Sequence, residues 1–185
     1  MRMFWYFVIY SFLGFLLEGA YAAAHGGDAL GRKCFHLLPL CPVYGVGTLV
    51  ILSLPRPVLA HGILTVLCGG LAATAVEYVV ALAYERGLGV RFWDYAQFSG
   101  NWKGRVCPRF SLFWGILALA LVRWVHPAVA ALPGLPAPLS ACAAALVLCD
   151  GIHSAVLLRR SGTTACLRWR PALRLRGRRP DQEEA

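Results

Sequence analysis

The sequence predicts an all-α fold, a polytopic transmembrane helical bundle of about five spans. Hydrophobic residues make up 58% of the chain, and the mean hydropathy is +0.60, whereas soluble domains are about 45–50% apolar. The apolar residues come in runs of roughly twenty, the helix length that crosses a hydrocarbon core about 30 Å thick. No stretch alternates polar and apolar residues over roughly ten positions as membrane β-strands do. Helical spans are therefore the predicted architecture.

The predicted membrane domain covers residues 1–158, and residues 159–185 are predicted to form a basic, disordered cytoplasmic tail. Pro42, Tyr44 and Gly45 lie near the start of the second span. Because proline cannot donate a backbone hydrogen bond inside a helix, a helix break is predicted there. The five predicted spans are residues 3–24, 37–54, 58–83, 110–125 and 139–158.

The uneven distribution of basic residues predicts the orientation of the chain. Fifteen of the eighteen Lys and Arg residues fall in loop 25–36, loop 84–109 and the C-terminal tail, which five spans place on one side. Since cytoplasmic loops are enriched in Lys and Arg, a multi-pass plasma-membrane protein is predicted, with its N-terminus outside and its C-terminus in the cytoplasm. The net charge of +9 flanks the spans, which indicates the lipid bilayer, and not nucleic acid, as the partner.

Three carboxylates are predicted to lie at one level of the membrane. Glu18, Glu77 and Asp150 occur near the inner ends of spans that run in the same direction, at depths of roughly 9, 9 and 12 Å. Ionisable residues inside a span are costly and usually face a bundle interior. One hypothesis is a polar pocket near the cytoplasmic face, with His153 beside Asp150, that binds a cation, a proton or a polar headgroup. The alternative is that the carboxylates pair with basic residues of the adjoining loop and only anchor the fold.

The loop at 84–109 combines aromatic rings with charged and amide groups and is predicted to be an amphipathic, interfacial cytoplasmic loop. A loop at the headgroup level accounts for the aromatic rings but accounts less well for so many polar groups among them. A functional loop motif is therefore a second hypothesis. Its candidate residues are Glu85, Trp93, Asp94, Tyr95, Asn101, Gly104 and Arg105.

Motifs for catalysis and for nucleotide or metal binding are missing from the sequence. It contains no Walker A loop, HExxH, GxSxG or paired metal ligands. We therefore predict no catalytic residue, no metal site and no cofactor, and an enzyme is the less expected class. The seven cysteines form no CxxC pair, and four lie inside predicted spans. They are interpreted as small buried hydrophobic residues, not as a disulfide framework or a zinc site.

Four segments carry a recognisable pattern. The longest is Phe92–Gly115, with WDY, then N, GR, C, S and WG in that order. The others are Ser11–Glu18, Cys41–Gly47 and Glu77–Glu85. Together they resemble a known family of integral membrane proteins, the CmpB-like type IV ABC-transporter proteins, which implies a membrane-embedded, permease-like protein of bacterial type. Members of the family show an Asn-Arg-Gly segment before the Pro-Tyr-Gly motif, where this chain has Gly31–Phe35 instead.

Three functions remain open at this point. The first, which is favoured chiefly because of the resemblance, is a permease-like component of a transport system that lacks its own ATPase. It requires a separate ATPase subunit, and a homo-oligomer is expected because five spans are few for a pore. The second is a membrane enzyme that handles lipid headgroups, since arginines suit phosphate. The third is a non-catalytic scaffold subunit.

Overall fold

The computed structural model describes residues 1–26 and 33–168, and the predicted all-α fold is confirmed. The helices are α1 Arg2–Ala24, α2 Pro42–Leu52, α3 Arg56–Ala60, α4 Gly62–Ala83, α5 Pro108–Ala120, α6 His126–Ala130 and α7 Ala137–Ser161. Helix α4 continues as a π-helical turn at Tyr84–Leu88, and a second π-helical turn at Leu121–Val125 joins α5 to α6. A 3-10 turn at Thr164–Leu167 follows α7.

Four helical stretches of the described chain are long and apolar enough to cross a membrane, Arg2–Ala24, Gly62–Leu88, Pro108–Ala130 and Ala137–Ser161. The second predicted span differs from its expectation. Instead of a helix over 37–54, residues 33–41 are non-helical and α2 has 11 residues, which corresponds to about 16 Å. The helix begins at Pro42, where the missing N–H costs nothing.

The short helix α2 begins beside the middle of α1. The backbone N–H of Cys41 donates a 3.0 Å hydrogen bond to the carbonyl of Ser11. One turn later Gly45 packs against Phe7, and a Cβ at that glycine would lie 2.6 Å from the Phe7 carbonyl oxygen. Since the contact moves toward the start of α1 as α2 advances, the two helices are antiparallel.

Helices α4 and α5 approach closely through small residues. A Cβ on Gly69 would lie 2.6 Å from the Cβ of Ala118, and one on Gly70 would lie 3.1 Å from the Cα of Gly115. Small residues of this kind allow helix backbones to pack directly in membranes. The guanidinium of Arg123, beyond the end of α5, bonds to the carbonyl of Ala60, two residues before α4 begins, so α4 and α5 are antiparallel.

Contacts at both ends of the bundle show that α1, α4 and α7 run in the same direction. The Tyr10 hydroxyl bonds to His126 at the end of the Pro108–Ala130 stretch, which makes α1 antiparallel to α5 and hence parallel to α4. The indole N–H of Trp5 donates to Ser140 at the start of α7. At the opposite end, Leu158 packs against Val90, just beyond α4.

The π-helical turn at Leu121–Val125 has an identifiable cause in Pro127. This proline has no N–H to give to the carbonyl of Arg123 and would clash with a regular helical turn. The chain widens instead, and the N–H of His126 donates to the carbonyl of Leu121, five residues back. The helical path then continues to Ala130.

The first residues of the predicted tail are ordered against the bundle. Helix α7 ends at Ser161, where Gly162 takes a left-handed conformation with φ of 66°. The 3-10 turn then places Leu167, 1% exposed, against Leu158 and Val90. The rest of the predicted tail lies outside the described residues.

Candidate functional site

Glu77 is a buried carboxylate of α4, with 3% of its surface exposed. Its Oε1 accepts a 2.8 Å hydrogen bond from the Tyr95 hydroxyl, and its Oε2 accepts a 3.0 Å hydrogen bond from the indole N–H of Trp114. Both donors are uncharged. Among the residues that the structure describes, Glu77 makes no ion pair.

Two aromatic side chains, Tyr44 and Trp114, connect Glu18 of α1 to Glu77. The Tyr44 hydroxyl donates a 2.8 Å hydrogen bond to Glu18 Oε1. The ring of Tyr44 lies 5.0 Å from the ring of Trp114, which in turn binds Glu77. Two parallel helices thus bring two carboxylates to one group of aromatic donors. We name Glu18, Tyr44, Glu77, Tyr95 and Trp114 the carboxylate cluster.

Close packing fixes the position of Tyr44 within the carboxylate cluster. A Cβ at Gly14 of α1 would overlap the Cβ and Cγ of Tyr44. The glycine therefore leaves the space in which the ring crosses α1 toward Glu18. Tyr44 was predicted to mark a helix break; the structure places it in the first turn of α2, with Pro42 as the first helical residue and Gly45 behind it.

Tyr95 closes the carboxylate cluster from the loop. Its ring stacks on Phe110 with centroids 4.6 Å apart and an angle of 18°. Burial raises the pKa of the Tyr95 hydroxyl, and the neighbouring Glu77 and Glu18 carboxylates raise it further. The phenol therefore remains protonated and acts as a hydrogen-bond donor.

Asp150 makes its hydrogen bonds to another part of the chain. Its carboxylate accepts the backbone N–H of Leu37 at 3.1 Å and that of Leu38 at 2.7 Å. One helical turn later, Ser154 accepts the N–H of His36 at 2.7 Å. Backbone groups without helical partners are costly at membrane depth, so Asp150 and Ser154 hold the non-helical segment before α2.

Two further ionisable side chains lie beside that segment. Lys33 is 2% exposed and donates to the carbonyl of His36. Burial lowers the pKa of Lys33 to about 8, although the nearby Asp150 acts in the opposite direction. The ring of His153 lies 5.2 Å from that of His36. His153, which was predicted to lie beside Asp150, thus contacts this segment through His36.

Asp94, Asn101 and Gly104 fold the loop back on itself. Asp94 Oδ1 accepts the N–H of Ala96 at 2.9 Å, and Asn101 Oδ1 accepts the N–H of Gly104 at 2.9 Å. Gly104 has φ of +72°, and a Cβ there would overlap Asp94. The carbonyl of this glycine accepts the N–H of Tyr95 at 2.8 Å. These three side chains therefore position Tyr95.

Glu85 and Arg105 join the loop to the end of α4. Arg105 donates from Nε at 3.0 Å and from Nη2 at 2.5 Å to Glu85 Oε2, while Arg91 Nε lies 3.0 Å from Oε1. Trp93 donates its indole N–H to the carbonyl of Arg105 at 2.9 Å. The guanidinium of Arg105 also lies over the ring of Tyr78. These arginines, expected as partners for the intramembrane carboxylates, bind Glu85 at the π-helical turn.

Sequence reasoning did not identify Trp114 as a site residue, and it assigned Tyr44 a different role. A buried indole N–H or phenol needs a hydrogen-bond acceptor. In an apolar helix, an intramembrane carboxylate can be that acceptor, and this requirement could have indicated both side chains as partners of Glu18 and Glu77. Within the described ranges, no group of three or more His, Cys, Asp or Glu side chains is placed to hold a metal ion.

The carboxylate cluster, the loop and Asp150 all fall within residues 5–154, which match the model of a family described as "putative ABC-transporter type IV". The chain belongs to this family. The match covers most of the 185 residues, and comparison with curated proteins and with solved structures finds no match. Membership in the type IV ABC-transporter family, together with the apolar helices, identifies a multi-pass membrane protein and is consistent with a membrane transport component.

Proposed function

We propose that this protein is the permease-like, membrane-spanning subunit of a transport system and that its carboxylate cluster binds a proton or a cation. The observation that carries the proposal is the environment of Glu77. This carboxylate is buried within a predicted span, and its two oxygen atoms receive hydrogen bonds from uncharged donors.

Glu77 has its hydrogen bonds satisfied but not its charge. An ionised carboxylate at the centre of a span costs about 2.5–3.5 kcal/mol on insertion scales. Tyr95 and Trp114 satisfy the lone pairs of Glu77 but do not neutralise its charge, and the neighbouring Glu18 adds a second acidic group. A proton on Glu77, or a cation bound beside it, neutralises this carboxylate. Intramembrane carboxylates commonly mark proton and ion pathways for this reason.

The proposed energy source is a separate ATPase subunit. The chain has no Walker A motif, so nucleotide hydrolysis has to come from a partner that docks on the predicted cytoplasmic face. The loop at 89–107 offers exposed groups for such contact, including Trp102, which is 65% exposed. Assembly of two or more copies is part of this proposal, since one small bundle has few helices to enclose a path.

The lipid-headgroup alternative draws less support from the described residues. It relied on loop arginines to bind phosphate, and Arg91 and Arg105 are engaged by Glu85. Lys103 and Arg109 remain in the loop for such a role, and Arg109 lies over the ring of Phe98. We therefore favour transport over headgroup chemistry.

Affinity purification from the native membrane tests this function. We expect an ATPase to co-purify with the wild-type protein and its ATP hydrolysis to depend on this subunit. Glu77→Gln removes the charge and keeps one side-chain carbonyl oxygen as an acceptor, so it should preserve co-purification and abolish subunit-dependent stimulation. Recovery of the protein alone in mild detergent, without an ATPase, would argue against the assignment.

A further inference from the structure

Cys34 and Cys41 are brought together at the non-helical segment before α2. Their Sγ atoms lie 4.0 Å apart, and both are in the thiol form. A disulfide bond needs about 2.05 Å, so the two sulfur atoms have to approach by about 2 Å.

The backbone already holds the two cysteines in a closed loop. The N–H of Cys34 donates a 3.2 Å hydrogen bond to the carbonyl of Leu40, the residue before Cys41. In the middle of the loop, Leu37 and Leu38 are bound by Asp150. Because this loop is formed in the thiol state, closing a disulfide across it requires little further ordering.

The two thiols differ in access to a reagent. Cys41 is 4% exposed and caps the start of α2, whereas Cys34 is half-buried. The Tyr84 side chain, just after α4, lies near the Cys34 thiol. Cys34 is therefore the thiol that meets a reagent first, and Cys41 is the one beside it.

We propose that Cys34 and Cys41 form a reversible dithiol–disulfide site that exchanges with low-molecular-weight disulfides such as glutathione disulfide. The Cys34 thiol loses its proton and attacks one glutathione sulfur, which releases one glutathione thiolate that takes up that proton. The Cys41 thiol then loses its proton and attacks Cys34 Sγ, which releases the second glutathione thiolate to take up that proton. Two protein thiols are oxidised, and one glutathione disulfide is reduced to two thiols.

The disulfide closes a loop that ends at Cys41, three residues before Tyr44 of the carboxylate cluster. Oxidation therefore links residue 34 covalently to the N-cap residue of α2. On the predicted topology the segment enters the membrane from the cytoplasmic side, where thiols rest in the reduced state. The site is therefore reduced at rest and becomes oxidised when the ratio of disulfide to thiol rises.

Treatment of the full-length protein in detergent with glutathione disulfide tests the proposal. When thiols are counted with maleimide after denaturation, wild type should have lost two, recover both with dithiothreitol, and yield chymotryptic fragments joined through Cys34 and Cys41. Cys41→Ser should keep a stable glutathione adduct on Cys34, whereas Cys34→Ser should neither lose a thiol pair nor gain an adduct. Cys68→Ser retains both cysteines and serves as the matched control, which should behave as wild type.

The wild-type measurement alone decides the matter and requires no variant to fold. Retention of both thiols under conditions that oxidise free dithiothreitol overturns the proposal. So does a wild-type protein that stops at a glutathione adduct on Cys34, or one whose disulfide joins a different pair of cysteines.

Discussion

The hydroxyl of Tyr95 donates a 2.8 Å hydrogen bond to Glu77, eighteen residues earlier in the chain. One partner belongs to an apolar helix and the other to a polar loop, so the contact closes the loop over the carboxylate cluster. The stacked ring of Phe110 holds Tyr95 from the side of the next helix. The loop thus belongs to the same structural unit as the intramembrane carboxylate.

Tyr95→Phe should destabilise the fold by about 1 kcal/mol, because one hydrogen bond to Glu77 is lost while the stacked ring is kept. Denaturant unfolding in detergent measures the change. Tyr21→Phe is the control, since the Tyr21 ring stacks on His25 and no described residue bonds to its hydroxyl. Equal unfolding midpoints for the two variants would contradict the role assigned to Tyr95.

The ion pair of Glu85 and Arg105 should show a larger coupling energy in a double-mutant cycle than a more exposed pair of the same loop. The two side chains are 16% and 13% exposed, so solvent screens them little. The matched control is Arg91 with Asp94, whose N–O distance is 3.4 Å and whose side chains are 52% and 48% exposed. We expect less than about 1 kcal/mol for that exposed pair. A coupling for Glu85 and Arg105 that does not exceed the control's contradicts the prediction.

Gly14→Ala should impair assembly of the bundle, because the added methyl group overlaps the ring of Tyr44. Overpacking in a filled core costs about 1–3 kcal/mol, and here neither helix backbone yields easily. Gly47→Ala, with no atom within 4 Å of the new Cβ, should leave stability nearly unchanged. Thermal unfolding in detergent compares the two. A Gly14→Ala protein as stable as Gly47→Ala would contradict the close contact of α1 with Tyr44.

The free energy of unfolding should rise with pH above about 8 through Lys33. Its pKa is about 8 in the folded protein and 10.5 in a model peptide. Between these values the unfolded chain binds more protons at this site than the folded chain, so raising the pH favours folding. Below pH 8 the lysine is charged in both states, and its contribution no longer changes with pH.

Lys33→Met tests this dependence, because the variant has no group to titrate at that position. Denaturant unfolding at several values between pH 7.5 and pH 10, shared by both proteins, gives the difference in slope. Other groups titrate equally in wild type and variant. The expected difference approaches about 1 kcal/mol per pH unit within the window, and parallel curves would refute it.

Much of the architecture followed from apolar run lengths, because a span must contain enough residues to cross the hydrocarbon core. Run length does not distinguish a helix from an extended segment that is supported by side chains. Residues 37–41 are apolar enough for a helix, yet Asp150 accepts their N–H groups from a position 112 and 113 residues away. Such a partner depends on tertiary packing and has no local pattern.

The candidate site could be predicted only in part from the sequence, for the same reason. The cost of a charge in a span singled out Glu18, Glu77 and Asp150, and the density of polar groups singled out the loop around Tyr95. Which carboxylate meets which donor depended on helix packing. Glu85 occupies the arginines that were expected deeper in the membrane, and Glu77 is left with two aromatic donors.

The central claim is that Glu77 holds a proton or a cation inside the bundle. The most direct measurement is labelling of native membranes with a hydrophobic carbodiimide, which modifies protonated carboxyl groups in apolar surroundings, followed by peptide mass spectrometry. We predict modification at Glu77 in buffer free of metal cations, slower modification if a metal cation competes, and little at the arginine-bound Glu85. A Glu77 that stays unmodified with and without metal cations, while other carboxyl groups of the protein react, would contradict the account.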